Sequence, residues 1–321
     1  MPPVIFENAT AVEQALAWKE AHGVNGRFLA GGTDLLVSLR QGPAHDRALA
    51  FGQDERHLEP VCVLDLSRLE QLRRVEVSEK GLLIGALATH TQLMADRRVR
   101  THAALLARAC ATIGSPQIRN RGTVGGNLCN ASPCADTAPA LIALDAELIL
   151  QSSGGTRRIG VEEALEAPYR TALREAELLT HVWIPIPDHG GPGSDAAASG
   201  GSDEMPRPLC RGAFVKLGRR NALAVSRMSV AVVLREDAHG RLADTRVTAG
   251  SVAPTPRRFR DVEAQLNGER PSEALFEEAG RRLAEAMIAV TGQRWSTPYK
   301  EPVIAALLVR ALQQAEVASR P

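Results

Sequence analysis

Aromatic side chains are scarce in this chain of 321 residues: Phe, Tyr and Trp together make up 3% of it. Proteins that bind single-stranded nucleic acids stack the bases on aromatic rings, and this composition offers few such rings. Lysine and arginine number 38 and aspartate and glutamate 37, which leaves a formal net charge of +1. A protein that binds a phosphate backbone usually carries a basic excess. The composition therefore argues against nucleic acid as a partner.

Cysteines are few and scattered. The chain has five, at positions 62, 110, 129, 134 and 210. An odd number spread through a long chain does not suggest a disulfide framework and is typical of a reducing compartment. The N-terminal residues contain no basic region followed by an apolar core, and no apolar stretch is long enough to span a membrane. We therefore predict a cytoplasmic protein with no membrane span.

The chain also lacks the sequence patterns of metal centres and of nucleophilic catalysis. Its eight histidines show neither the H-x-H nor the H-E-x-x-H spacing of metal sites. Cys129 and Cys134 form a C-x4-C pair, but an iron–sulfur cluster usually needs four thiolates, and the other cysteines lie far away in sequence. No G-x-S-x-G motif is present. Neither a metal ligand nor a catalytic side chain is predicted.

Glycine, in contrast, occurs in two pairs with similar surroundings. Gly31-Gly32 follows a predicted strand and is followed by Thr33. Gly125-Gly126 has Thr123 close before it and Asn127 directly after it. Glycine lets the backbone approach a ligand, and successive N–H groups can form an anion-binding concavity, to which hydroxyl and amide side chains add donors. Because two such turns could hold one extended diphosphate from both sides, we expect a dinucleotide ligand.

Neither pair fits the phosphate-binding motifs of other common folds. The dinucleotide fingerprint of the Rossmann fold is G-x-G-x-x-G, and no third glycine follows Gly31-Gly32 at that spacing. A Walker loop requires G-K-[ST], which follows neither pair. Each pair taken alone could also form an ordinary tight turn. The matching context of the two pairs favours a shared ligand.

Three segments resemble a known family. They are FLAGGTDLL at 28–36, IGSPQIRNRGTVGGNL at 113–128 and CNASPCADTAPAL at 129–141. They resemble the two flavin loops of the FAD-binding, or medium, subunit of molybdenum hydroxylases, a family that includes xanthine, carbon monoxide and nicotinate dehydrogenases. The resemblance covers nearly the whole chain and is nearest to the bacterial xanthine dehydrogenase type. It implies an α+β fold: an FAD-binding domain of two α/β subdomains (PCMH-type), followed by a smaller C-terminal α+β domain of the CO dehydrogenase flavoprotein type.

The same resemblance implies a function and partners. The chain would be the FAD-carrying electron-transfer subunit of an oxidoreductase, active only in a heterotrimeric complex, with the redox chemistry residing in its cofactor. Substrate would be hydroxylated at a molybdopterin centre in a large partner subunit. Electrons would reach FAD through two 2Fe-2S clusters of a small iron–sulfur subunit and leave to a soluble acceptor such as NAD. Two alternatives stay open: a self-sufficient flavin-dependent reductase of the same FAD-binding superfamily, and a non-catalytic nucleotide-binding or assembly module.

The motifs and the resemblance together imply a set of FAD-binding residues. They are Leu29, Ala30, Gly31, Gly32, Thr33, Asp34, Leu35, Ile113, Thr123, Gly125, Gly126, Asn127, Asp136, Ile184 and Lys216. Asp136 stands where a carboxylate can either cap the following helix or accept hydrogen bonds from a ribityl or ribose hydroxyl. Ile184 corresponds to an apolar contact with the adenine, or is an ordinary core isoleucine. Lys216 would lie near the flavin ring and stabilise its reduced, anionic form, unless it is a solvent-facing strand lysine.

Composition changes sharply from Asp188 to Pro208, where Gly, Ser, Ala, Asp and Pro dominate. This change is typical of a linker or exposed loop. We therefore predict an FAD-binding domain at 1–187, a Gly/Ser/Pro-rich linker or loop at 188–208 and a C-terminal flavoprotein domain at 209–321.

Apolar periodicity and turn residues predict the secondary structure of these domains. Helices are expected at 11–22, at 99–113, from about 136, at 272–290 and at 301–317. Strands are expected at 27–30, 61–66, 72–77, 82–86, 147–151, 157–161, 178–186, 212–217, 229–235 and 245–251.

Overall fold

The computed structural model describes residues 4–41, 61–186, 211–220 and 223–317. The linker predicted at 188–208 lies outside these residues. We name 4–41 and 61–186 the N-terminal unit, and 211–220 and 223–317 the C-terminal unit. None of the helices in these ranges is long and apolar enough to cross a membrane.

The N-terminal unit begins with a small subdomain built around a parallel sheet. Its elements are β1 (Val4–Asn8), α1 (Val12–His22), β2 (Gly26–Leu29), α2 (Leu35–Gln41) and β3 (Val61–Asp65). The strand order is β1-β3-β2. Parallel strands need crossover connections, and α1 provides one, with its Leu16 and Trp18 in the same core cluster as Leu64 of β3. The helix at 11–22 and the strands at 27–30 and 61–66 are confirmed to within one residue.

A larger subdomain completes the N-terminal unit. Its elements are β4 (Val75–Ser78), β5 (Gly81–Gly85), α3 (His90–Ala95), α4 (Arg97–His102), α5 (Ala104–Ala111), α6 (Pro116–Arg121), α7 (Val124–Asn130), α8 (Thr137–Ala143), β6 (Glu147–Ser152), β7 (Gly155–Gly160), α9 (Val161–Ala164), β8 (Leu165–Ala167), β9 (Arg170–Thr171) and β10 (Leu178–Pro185). An antiparallel sheet of order β4-β5-β10-β6-β7 packs against the helices. The core between the sheet and α5 and α8 contains Leu82, Leu148, Leu106 and Leu141.

Two element boundaries in this subdomain differ from the sequence prediction. The helix expected at 99–113 is two helices, α4 and α5, because Ala103 leaves the helical conformation with φ −140° and ψ 47°. The strand expected at 72–77 begins only at Val75. Leu72 belongs to a 3₁₀ turn, where its side chain is buried and its N–H donates to the Leu69 carbonyl at 3.0 Å.

The C-terminal unit is a sheet covered by helices. Its elements are β11 (Arg211–Gly218), β12 (Ser226–Leu234), β13 (Arg246–Gly250), β14 (Arg257–Arg258), α10 (Arg260–Leu266), α11 (Glu273–Thr291) and α12 (Thr297–Val317). The antiparallel strands follow the order β11-β12-β13-β14, and α11 and α12 pack on one face. Helix α8 lies on the other face, where the Thr248 hydroxyl donates to the Pro139 carbonyl at 2.8 Å. The fold is therefore the α+β arrangement predicted from the sequence.

Candidate cofactor site

A cleft of about 520 Å³ opens between the two subdomains of the N-terminal unit. One wall comes from β2 and the turn that follows it, and the other from α7 and the start of β10. The run 29–35 lines the cleft together with Gly125 and Gly126, so both glycine pairs face one cavity. The volume lies within the usual range of small-molecule sites, about 300–1,000 Å³.

The first glycine pair forms the turn between β2 and α2. Gly32 has a φ of +74°, in the left-handed region that glycine adopts without strain. A Cβ atom on Gly31 would collide with the carbonyl oxygen of Arg121, because the turn packs directly against the chain that leads into α7. Gly32 is therefore required by the shape of the turn, and Gly31 by the contact between the subdomains.

The second glycine pair lies in the first turn of α7 rather than in the loop that the sequence suggests. Thr123 is the N-cap of this helix, and its hydroxyl accepts a hydrogen bond from the N–H of Gly126 at 3.1 Å. The N–H groups of residues 124, 125 and 127 donate to other backbone carbonyl oxygens. Each N–H from 124 to 127 is thus already engaged, so this turn forms no anion-binding concavity. It offers a ligand a stretch of backbone without side chains.

The two glycines of α7 have different surroundings. A Cβ atom on Gly125 would lie 2.7 Å from Cβ and 2.8 Å from the carbonyl oxygen of Ala86, so this glycine lets α7 approach the end of β5. A Cβ atom on Gly126 would meet the Thr123 hydroxyl at 2.9 Å and, beyond it, Ala30 at 4.0 Å. Gly126 is therefore the position at which an added side chain would enter the cleft.

A hydrogen bond joins the two walls of the cleft. Asn130, the last residue of α7, donates a side-chain N–H to Oδ1 of Asp34 at 3.2 Å. The Thr33 hydroxyl donates to Oδ2 of the same carboxylate at 3.1 Å. Both carboxylate oxygens of Asp34 are thus engaged within the chain, and they hold the first glycine turn against α7.

Asp136, the residue before α8, and Lys216 of β11 form a buried ion pair. The Lys216 ammonium nitrogen lies 2.5 Å from Oδ2 of Asp136 and also donates to the Thr112 carbonyl at 3.0 Å. The two side chains are 6% and 10% exposed, so Lys216 is not the solvent-facing lysine that the sequence left open. Burial raises the pKa of Asp136, and the positive charge of Lys216 opposes that shift.

The second oxygen of Asp136 makes no hydrogen bond of normal geometry among the residues that the structure describes. The side chain does not cap α8, so the capping role that the sequence allowed is not observed. Its Oδ1 is buried, and the Ser226 hydroxyl, itself buried without a partner in the described chain, lies near enough to lower the pKa of the carboxyl. Buried carboxylate oxygens are normally hydrogen-bonded. The atom therefore suits a hydroxyl donor from a ligand, such as a sugar or a sugar alcohol.

Asn127 and Ile113 connect the cleft with this ion pair. The Thr137 hydroxyl donates to Oδ1 of Asn127 at 2.5 Å, which ties α7 to the residue after Asp136. Ile113 directly follows the residue whose carbonyl accepts from Lys216. The remaining predicted residues thus lie outside the lining of the cleft but in one connected region beside it: Ile113, Thr123, Asn127, Asp136 and Lys216.

Ile184 does not reach the cleft. Its side chain is 1% exposed within the core of the larger subdomain, where β10 pairs it with Leu82 of β5. An enclosed side chain has no surface left for an adenine, so the structure places Ile184 as a core residue. The same strand reaches the cleft through its first two residues, Leu178 and Leu179.

Several lining residues lie outside the sequence motifs and were not predicted. They are Lys19, Arg27, Tyr169, Leu173, Leu178, Leu179 and Glu177, among others. They come from α1, β2, β10 and the segments between β8 and β10, which meet only through tertiary packing. Cys129 also lines the cleft.

Glycine surfaces on facing walls, with an unpartnered carboxylate oxygen beside them, fit an elongated ligand that carries a diphosphate and hydroxyl groups. Residues 4–187 match the family described as FAD binding domain in molybdopterin dehydrogenase, and residues 213–315 match the CO dehydrogenase flavoprotein C-terminal domain. The first match covers more than half of the chain. The protein therefore belongs to the molybdenum hydroxylase family as a medium, FAD-binding subunit, which confirms the resemblance found in the sequence.

Relatives agree over nearly the full length. The nicotinate dehydrogenase FAD-subunit of Eubacterium barkeri is 30% identical over 296 residues, which cover 90% of this chain and 89% of the relative. The glyceraldehyde dehydrogenase medium chain of Sulfolobus acidocaldarius is 26% identical, with 98% of both chains covered. A chain in the structure of carbon monoxide dehydrogenase from Hydrogenophaga pseudoflava superposes with a TM-score of 0.81 at 26% identity, covering 99% of this chain and 98% of that one. FAD is the cofactor, and the chain is a subunit of an oxidoreductase.

Proposed function

We propose that one FAD spans the cleft and the neighbouring ion pair. Its diphosphate and adjoining sugar lie between Gly31–Thr33 and the stretch from Thr123 to Asn127, with the rest of the run 29–35 as one wall. The observation that carries this proposal is that both glycine pairs line a single cleft, although they are far apart in the sequence. Because residues 124–127 have no free backbone N–H, their part is to let the diphosphate approach closely.

At the other end of the cofactor, Asp136 and Lys216 contact its flavin half, with Ile113 beside them. The unpartnered Oδ1 of Asp136 accepts a hydrogen bond from a ribityl hydroxyl. The ammonium of Lys216, held by Asp136 and the Thr112 carbonyl, supplies positive charge where the reduced flavin becomes negative. Ile184 has no role in this arrangement, since it is enclosed in the core.

FAD supplies the redox chemistry, and the chain binds it, orients it and shields it from water. Electrons come from the 2Fe-2S clusters of a small iron–sulfur subunit, which receives them from a large molybdopterin-binding subunit, and pass on to a soluble acceptor such as NAD. Support comes from the family, whose relatives carry names such as medium chain and FAD-subunit of dehydrogenases. The scattered cysteines favour a cytoplasmic location for this heterotrimer.

The proposed organisation places the FAD-binding domain at 1–187, a linker at 188–208 and the C-terminal flavoprotein domain at 209–321. The family matches, which end at 187 and resume at 213, agree with these limits. The C-terminal unit also has its own core, formed by α10, α11 and α12 against its sheet. Lys216, on the first strand of that unit, then makes the C-terminal domain part of the flavin site.

Purification of the chain together with the products of its neighbouring genes tests the function. We expect one FAD per chain, iron and molybdenum in the copurified complex, and reduction of the flavin by substrate only when both partners are present. Reoxidation of the reduced complex by NAD in a stopped-flow experiment tests the acceptor. A chain that purifies alone and turns over a substrate would indicate the self-sufficient reductase instead. A colourless chain that cannot be loaded with FAD would contradict the cofactor site.

A further inference from the structure

The segment between β9 and β10 brings Glu177 into the lining of the cleft. Glu177 immediately precedes β10 and lines the cavity, and its side chain is 4% exposed. A diphosphate is doubly negative, and two like charges in a partly dehydrated site repel each other strongly. Taken alone, an ionised Glu177 therefore opposes the binding of FAD.

Arg157 on β7 holds this carboxylate from behind. Its Nε donates to Oε1 of Glu177 at 2.6 Å and its Nη2 to Oε2 at 2.8 Å, a bidentate pair. The same Nη2 donates to the Ala172 carbonyl at 3.0 Å, and the Arg174 backbone N–H donates to Oε2 at 2.7 Å. Arg157 does not line the cleft itself. It acts on the cleft through Glu177.

We propose that Arg157 is a positioning residue for FAD: it neutralises Glu177, which lies in the cleft lining beside Leu173 and Leu178. The inference rests on the FAD site proposed above and extends it to a residue that no sequence motif indicates. The charge of Glu177 is thereby cancelled before the diphosphate arrives, and the carboxylate does not need to be protonated or displaced when FAD binds.

Three variants separate this electrostatic role from simple support of the fold. Arg157→Gln removes the cation and leaves a bare carboxylate, so the FAD dissociation constant rises about tenfold or more. Glu177→Gln removes the negative charge and binds FAD at least as tightly as the wild type. The double variant Arg157→Gln/Glu177→Gln recovers most of the loss, because no charge remains in the wall. Arg158→Gln is the matched control: Arg158 neighbours Arg157 on β7 but pairs with Glu147.

The dependence of FAD affinity on pH gives a second readout. In the wild type, hydrogen bonding to Arg157 holds the pKa of Glu177 below its usual value, so the group stays ionised and paired. The other charges around the pair are Arg174 in the same segment, Glu163 of α9 near Arg157, and Lys19 and Arg27 in the cleft lining. Without Arg157, burial acts to raise that pKa, while the Arg174 backbone N–H and charge act to lower it. The FAD affinity of Arg157→Gln then falls as the pH rises through the pKa of Glu177. The double variant, which has no carboxyl at position 177, does not show this pH dependence.

The measurement is the dissociation constant of FAD for the full-length chain in its complex, obtained from the fluorescence of released FAD. A wild type that does not bind FAD would contradict the proposed function itself. A wild type that binds FAD, with a double variant no better than Arg157→Gln, would overturn the role of Arg157 alone. If Arg157→Gln fails to fold, Glu177→Gln decides by itself, since weaker binding than the wild type also overturns the proposal.

Discussion

Lys216 of the C-terminal unit and Asp136 of the N-terminal unit form a buried ion pair, with Nζ 2.5 Å from Oδ2. The pair joins β11 to the residue before α8, so it ties the two units to each other. In a buried pair, loss of one partner leaves the other charge without compensation in a site that water hardly reaches. The relationship therefore links the C-terminal unit to the proposed flavin site.

The ion pair predicts an asymmetric mutational response. Lys216→Met should lower the free energy of unfolding by about 3–5 kcal/mol, because the Asp136 carboxylate stays buried and unpaired. Adding Asp136→Asn should recover part of that loss, since both charges are then gone. Urea denaturation of the three proteins measures the effect, and Lys80→Met, at an exposed turn lysine, serves as the control. A double variant no more stable than Lys216→Met would contradict the pairing.

Gly126 is the position at which a side chain should crowd the cofactor without requiring a left-handed backbone. The added Cβ of Gly126→Val lies 2.9 Å from the Thr123 hydroxyl, which has to shift, and 4.0 Å from Ala30 of the facing wall, so the cleft narrows there and FAD affinity should fall by about tenfold or more. Gly32 is a poorer test, because its φ of +74° would strain any other residue. Gly160→Val is the control, since Gly160 has a φ of −61° and no atom within 4 Å of the added Cβ. Full FAD content in Gly126→Val would mean that the diphosphate lies elsewhere.

The hydrogen bond between Asn130 and Asp34 should slow the release of FAD. Asn130→Ala removes the link between the two walls and should cost about 1 kcal/mol, or roughly a fivefold faster dissociation of FAD. Displacement of FAD by excess riboflavin analogue, followed by fluorescence, measures that rate. Asn120→Ala is the control. It removes a comparable side-chain hydrogen bond, from the Thr91 hydroxyl to Asn120, outside the cleft lining. Equal rates in the two variants would show that the link does not close the site.

His90 predicts how stability depends on pH. It is 2% exposed, next to the chain that leads into α7, and burial, helped by the charge of Arg119, lowers its pKa from 6.5 to about 4. The unfolded chain therefore binds an extra proton between these values. The contribution of neutral His90 to the free energy of unfolding is complete above pH 6.5 and is lost as the pH falls towards 4.

This loss can be isolated with a substitution that does not titrate. Between pH 7 and pH 5, the wild type should lose about 2 kcal/mol more unfolding free energy than His90→Gln does. Urea denaturation at the two pH values gives both numbers. His239→Gln, at an exposed turn, should retain the wild-type slope. Equal losses in the wild type and His90→Gln would show that His90 is not the group responsible.

The sequence predicted those parts of the site that depend on local signals. Both glycine pairs are flanked by a hydroxyl and a short polar side chain, and the structure brings them to one cleft. The sequence did not reveal that Thr123 would act as an N-cap, which turns the second pair into the start of a helix and engages its N–H groups. Either outcome was compatible with the local residues, because Thr favours both caps and turns.

The lining that comes from β10 shows why other parts could not be predicted. An irregularity in the strand between Leu179 and His181 shifts its register against β6. Leu178 and Leu179 line the cleft at the start of the strand, whereas Ile184, further along it, is enclosed in the core that it shares with Leu179. No pattern in the sequence marks the irregularity or shows which end of the strand reaches a cavity. Glu177 and Lys19 were missed for a related reason, since only tertiary packing brings their segments together.

A crystal structure of the chain loaded with FAD tests the cofactor site. We expect a single FAD whose diphosphate lies between Gly31–Thr33 and the first turn of α7, with a flavin-side hydroxyl donating to Oδ1 of Asp136. A diphosphate bound elsewhere, with the surfaces of Gly31, Gly32 and Gly126 not in contact with it, would contradict this expectation.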